Sequence, residues 1–202
     1  MGDPDLNRLH QEVGAYGKTL ASRKAAIDVP RLSELCGRVN YINTMYLLHG
    51  GAEDLPAAEL QARNAEKYFD EIYPVILFGL HCTSAPVAQV EAFMAGLSPD
   101  QLTSARLDGA KMVRNGLAGQ VKGLIMIAAD AKLGAARRQE VLSALVAQAD
   151  LVGRALDRTQ KTEVLEMLAE AARAASLDQD LVRKIASGIE TSHCTRLCPE
   201  TP

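Results

Sequence analysis

The sequence contains no tryptophan, and none of its five tyrosines and three phenylalanines follows Phe93. No segment reads as a convincing β-strand. No apolar run approaches the roughly 20 residues needed to cross a bilayer; the longest, Ile72 to Leu80, is interrupted by Pro74. There is no glycine-rich phosphate loop, no Gly-x-Ser-x-Gly elbow and no His-Glu-x-x-His. These absences argue against the common nucleotide-binding, hydrolase and metalloprotease designs, and no cofactor is expected. The net charge of −3 argues against a dedicated nucleic-acid binder, which needs a strongly basic surface.

What remains is a chain of 202 residues with 48% hydrophobic side chains, enough to bury its own core. The expected class is all-α: an irregular bundle of eight or nine helices built round a long central helix near 99–133. One helical domain over 1–202 is expected. It has a possible subdivision into an aromatic-bearing half (1–97) and an Ala/Leu-rich half (98–192), followed by a tail (193–202).

Helix starts are well marked. Asp3-Pro4, Asp28-Val29-Pro30 and Asp54-Leu55-Pro56 combine capping residues with early prolines. Ser98-Pro99-Asp100-Gln101 has the capping-box pattern, and Ser176-Leu177-Asp178-Gln179 repeats it without proline. Gly50-Gly51, Gly96 and Gly134 are expected as left-handed helix stops. Pro74 is expected to kink or break its helix, giving helices near 57–72 and 74–82, then another near 85–95. Three apolar stripes at helical spacing mark the C-terminal half: Leu142, Leu145, Ala149, Val152 and Leu156; Val164, Leu168, Ala171 and Ala175; and Leu181, Ile185 and Ile189.

Four cysteines bear on where the protein works. Cys36 and Cys82 lie in apolar segments, and Cys194 and Cys198 in a polar tail. Even parity and wide spacing point to disulfides and an oxidising compartment. Four cysteines allow three pairings; tail-to-body crosslinks are favoured, Cys36 and Cys82 each meeting one tail cysteine. A tetrahedral zinc set of His81, Cys82, His193, Cys194 and Cys198 is the alternative, although its spacing matches no common zinc module. The polar start, Met1-Gly2-Asp3-Pro4, fits either a cytoplasmic protein or a mature form whose export signal is not in this chain. The cysteines favour the second, in the periplasm or outside the cell.

Gly109, Gly116 and Gly123 recur every seven residues, with Gly119 between them. Each costs a helix interior up to about 1 kcal/mol relative to alanine. They are expected to form a seam on which a neighbouring helix backbone packs, with Ile125 to Ala129 as buried core. On that reading Gly116→Leu is severely destabilising. Lys111, Arg114 and Lys122 are expected on the opposite, solvated side as a basic strip able to take an anion or acidic partner. Glu163, Glu166 and Glu170 share one exposed face.

No catalytic residue is nominated, and an enzyme is not the favoured reading. The expected function is binding of another protein, as an inhibitor or immunity-type partner, with Tyr41, Tyr46 and Tyr68 as anchors. The alternative is a small-molecule or metal-binding helical protein, an enzyme among the options, using the aromatic half or the Cys/His cluster. No membrane span is expected, and oligomeric state is not specified by the sequence.

Overall fold

The computed structural model describes residues 4–21, 29–47, 56–194 and 197. Gly50-Gly51, Cys198 and the capping residues Asp3, Asp28 and Asp54 lie outside the described residues. Among those described, the protein is all-α and has eight α-helices: α1 (Pro4–Ala21), α2 (Val29–Leu47), α3 (Ala57–Lys67), α4 (Phe69–Ala95), α5 (Ser104–Ala129), α6 (Ala135–Ala155), α7 (Arg158–Ala174) and α8 (Gln179–Thr191). The chain divides inside α4 into two compact units, Met1–Cys82 and Thr83–Pro202.

The N-terminal unit is organised by rings and one sulfur bridge. Leu35, Ile42 and Tyr46 of α2 are buried with Ile72, Val75, Phe78 and Leu80 of α4 and Val13 of α1. Tyr46 lies between His10, 6.2 Å away edge-on, and Tyr68 at 5.6 Å. α1 comes close to α4 through two glycines: a Cβ on Gly17 would stand 3.4 Å from the Phe78 ring, and one on Gly14 3.8 Å from Pro74. Cys36 and Cys82 are disulfide-bonded to each other, with Cα atoms 5.5 Å apart. The tail-to-body pairing expected for them is therefore incorrect. That expectation treated 31–49 and 57–72 as a simple hairpin, which placed Cys82 too far along. In the fold, α4 itself lies beside α2 at that point. A bond of this kind persists in oxidising compartments.

Pro74 does not break its helix. α4 runs through both Pro74 and Pro86, and the break falls upstream at Tyr68, which caps α3 by donating its N–H to the Asn64 carbonyl at 2.9 Å. Burial of Ile72, Tyr73, Val75, Phe78 and Leu80 outweighs the backbone hydrogen bond a proline removes. By length and composition α4 alone among the described helices meets the requirement for a membrane span, with a mean hydropathy of 1.2 in its best window. Ile72, Val75, Phe78 and Leu80 lie in the core of the N-terminal unit, while 28% of the best window as a whole is buried.

In the C-terminal unit α5, α6, α8 and α7 close a four-membered ring, each packing on the next. The three stripes face inward: Leu142, Leu145, Val152 and Leu156, then Val164 and Leu168, then Ile185 and Ile189 are all buried. The closest approach is between α6 and α8. A Cβ on Gly153 would lie 2.6 Å from the Ile189 carbonyl oxygen and 2.7 Å from the Ser192 Cβ, and one on Gly188 would lie 2.6 Å from the Ala149 Cβ. Ala149 and Gly153 on one helix, against Gly188 and Ser192, form a small-residue crossing with the same four-residue spacing on both sides. Ser192 also donates its hydroxyl to Asp150 at 2.6 Å, and Arg138 joins the start of α6 to the ends of α5 and α7 by donating to the carbonyls of Asp130 (2.8 Å) and Ala175 (3.1 Å).

Several local expectations are corrected. The 99–133 helix is shorter, and it forms one wall of the ring rather than a central rod. Ser98-Pro99-Asp100-Gln101 caps only a single 3₁₀ turn, in which the Ser98 N–H donates to the Gln101 side chain at 3.0 Å; α5 restarts after Thr103. Gly134 (φ −62, ψ 151) is extended and opens α6 instead of closing α5. Asp178, not Ser176, caps α8, accepting from the Asp180 and Leu181 amides at 2.9 and 3.2 Å.

Candidate functional site

The glycine face of α5 is not the packed seam expected from its sequence. Beyond the adjoining backbone of α5 itself, no described heavy atom stands within 4 Å of a Cβ placed on Gly109, Gly116, Gly119 or Gly123. Met112 is 74% and Met126 64% exposed on the same edge, so the segment 125–129 is not uniformly core either. The reason is geometric. The buried residues Ala110, Leu117, Leu124 and Ala128 form a complete inward face of their own, and the glycines fall outside it. Gly153 and Gly188 carry the close packing assigned to that seam. The signal that would have found them is the paired small-residue spacing in α6 and α8.

The other side of α5 forms a cleft of about 1050 Å³ with the start of α7 and the end of α8. The cleft is built by caps. Asp157 closes the N-terminus of α7, accepting from the Gln160 amide at 2.9 Å, while the Gln160 side chain accepts from the Asp157 amide at 3.3 Å. Gln160 also donates to the Asn115 side chain at 2.8 Å, joining α7 to α5 beside the cleft. α8 ends at Thr191 with Ser192 extended. The chain then turns His193, Cys194 and Leu197 onto the third side.

Arg114 is the central cation. It is only 8% exposed, lines the cleft, and its Nη1 stands 4.0 Å from Asp157 Oδ2. Lys161 donates from Nζ to the Ser192 carbonyl at 2.5 Å, and burial pushes its pKa below the ordinary lysine value. Lys111 and Arg158 stand at the exposed rim. The expected solvated strip of Lys111, Arg114 and Lys122 is thus divided. Arg114 turns inward, Lys111 reaches the cleft, and Lys122 pairs outside it with Glu163 at 2.5 Å. Lys122 lies eight residues beyond Arg114, about 12 Å further along α5 but only about 80° round it at helical geometry, so distance along the helix puts it outside the cleft.

The remaining nominated residues separate. Tyr41 is 55% exposed, whereas Tyr46 and Tyr68 are core residues, so two of the three proposed anchors are inaccessible. Both are buried by the stacking that places them against each other. His81 and Cys82 belong to the N-terminal unit, and His193 and Cys194 to the C-terminal one. Cys82 and Cys194 are both disulfide-bonded and offer no thiolate to a zinc ion. Among the described residues no group of three or more His, Cys, Asp or Glu side chains is placed to hold a metal. The chain has one Glu-x-x-His spacing, Glu190 to His193, and both residues line the cleft. Because α8 stops between them, they do not share the helix face that bundle metal sites use. Glu163, Glu166 and Glu170 are exposed on α7.

No family model, curated protein or solved structure matches this chain. Its functional reading therefore rests on its own surfaces.

Two histidines of the N-terminal unit are held below their ordinary pKa. Burial lowers His10, against an opposing pull from Glu71, and burial lowers His81. Both are neutral at pH 7.

Proposed function

We propose that this is an exported, non-catalytic helical protein that grips a helix of another protein along the bare edge of α5, in the manner of an inhibitor or immunity-type partner. The observation that carries this reading is the uncompensated glycine edge. Each of Gly109, Gly116, Gly119 and Gly123 costs the helix up to about 1 kcal/mol, yet beyond the adjoining backbone of α5 no described atom stands within 4 Å of a Cβ placed there. A partner backbone lying along 109–126 would supply the missing contact. Met112 and Met126 stand about 21 Å apart at helical rise and would close on it from either end, since methionine adapts to varied surfaces. The Cys36–Cys82 bridge supports a periplasmic or secreted setting.

The test is site-specific photo-crosslinking in cells from position 119, with position 166 on α7 as control. A discrete adduct from 119 alone identifies the partner. The purified partner should then bind wild type, and Gly119→Lys should weaken it about tenfold or more while the melting temperature does not fall. Equal binding by the variant, or no adduct from 119, overturns the reading.

A further inference from the structure

Met112 and Met126 are the large exposed side chains of the α5 edge, and Gly116 and Gly119 are exposed between them. The edge lies about 140° round α5 from the buried Ala110, Leu117, Val121 and Leu124 at helical geometry, so it is turned away from its own ring of helices. Its order is Gly109, Met112, Gly116, Gly119, Gly123, Met126, at steps of 3, 4, 3, 4 and 3. These are the a and d spacings of a coiled-coil seam, and they read the same in both directions about a point between Leu117 and Ala118. Reversal about that point exchanges Met112 with Gly123, Met126 with Gly109, and Gly116 with Gly119.

We propose that in the free protein a second copy of this chain covers the edge, the two α5 helices lying antiparallel about a two-fold axis between Leu117 and Ala118. The inference rests on the proposed function only in taking the edge as a docking surface, and it names the occupant before a partner arrives. Each methionine of one copy then drops into the gap left by a glycine of the other, Met112 over Gly123 and Met126 over Gly109, while Gly116 and Gly119 let the backbones meet at the axis. A parallel pair would instead set methionine on methionine and glycine on glycine, bulk against bulk and gap against gap. Charge agrees with the antiparallel choice. Asp130 is the next position of the seam, and the same axis sets it opposite Ala105 and beside Arg106, both charged residues being exposed. A single helix edge is a small interface of the transient class, so the pair should part on dilution into the low-micromolar range, and unfolding measured below that range reports the single chain.

The experiment is sedimentation equilibrium of the full oxidised chain from roughly 100 µM down to roughly 1 µM, for wild type, Met112→Gly, Gly123→Met and the double exchange that combines them. Wild type should approach twice the chain mass at the upper concentration and the single mass at the lower. Met112→Gly leaves gap facing gap, and Gly123→Met leaves methionine facing methionine, so each should weaken pairing about tenfold or more. The double exchange again places one methionine and one glycine in each layer, and should return pairing to within about threefold of wild type. Gly123→Met meets no described neighbour beyond its own helix, so it keeps the test open if Met112→Gly frays α5. A wild type that is monomeric throughout, or a double exchange that pairs no better than the single variants, overturns the inference. Its failure is distinct from failure of the proposed function. A chain that stays monomeric but crosslinks in cells from position 119 to another protein removes the pair and keeps that reading. An adduct from 119 solely at twice the chain mass keeps the pair and removes the foreign partner.

Discussion

The two units hold themselves together by different means. The N-terminal unit packs Tyr46, Tyr68, Tyr73 and Phe78 into its core and fastens α2 to α4 through Cys36 and Cys82. Of phenylalanine and tyrosine the C-terminal unit has only Phe93, which is exposed and lies under the Arg106 guanidinium at 5.7 Å. It relies instead on leucine, valine and alanine, and on one crossing where Gly153 and Gly188 let α6 and α8 meet. Bulky rings fill irregular space without requiring close backbones, whereas small residues bring helices together regularly but tolerate no added atom. Within the C-terminal unit the same residue type plays opposite parts: glycine is indispensable in α6 and α8 and open to solvent in α5.

The largest expected effect separates the units. Replacing Cys36 and Cys82 with serine opens a loop spanning 46 residues and should lower the stability of the N-terminal unit by about 4 kcal/mol. Hydrogen exchange should detect this in α2 and α4 and leave α6 and α8 protected as before. Equal loss of protection in both units would mean that they unfold as one, and the contrast would fail.

Next comes the crossing. Gly153→Ala places a Cβ against a backbone carbonyl that cannot yield, and should cost about 2–3 kcal/mol by denaturant unfolding. A smaller loss would mean that α8 slides away freely.

Gly116→Ala sharpens the comparison from the other side. With nothing near the new side chain, higher helix propensity should raise stability by about 0.5–1 kcal/mol for alanine, and Gly116→Leu should raise it by a little less. Severe destabilisation by Gly116→Leu would restore the seam that the sequence suggested.

The smallest effect is pH dependence. His10 and His81 have folded-state pKa values below the ordinary 6.5, so the unfolded chain takes up their protons first. Their contribution is fully present above about pH 6.5 and is lost as pH falls from there toward the folded values. Melts of the N-terminal unit should therefore weaken in that window, and His81→Gln should flatten the slope. An unchanged slope would place the histidines outside the core.

Much of the helical layout was legible, because apolar periodicity is a local signal. Leu142, Leu145, Val152, Leu156, Val164, Leu168, Ile185 and Ile189 are buried as their spacing required. Capping was legible in kind but not in extent: the pattern at Ser98 starts one 3₁₀ turn, since three residues of capping geometry do not say how far a helix continues. Pro74 misled because its local cost is smaller than the burial gained by continuing α4. The cleft was the least legible feature. Its walls come from three helices, and Arg114, which looks like a surface residue, is placed inside by the docking of α7.

The sequence by itself determined the helical class, the inward stripes of α6, α7 and α8, and a composition that keeps tyrosine and phenylalanine out of everything after Phe93. Tertiary structure alone decided which glycines touch a neighbour, which cysteines meet, and which of three basic residues turns inward. Periodicity states which side of a helix is apolar. It does not state which other helix, if any, lies against the remaining sides, because that depends on contacts between segments far apart in the chain.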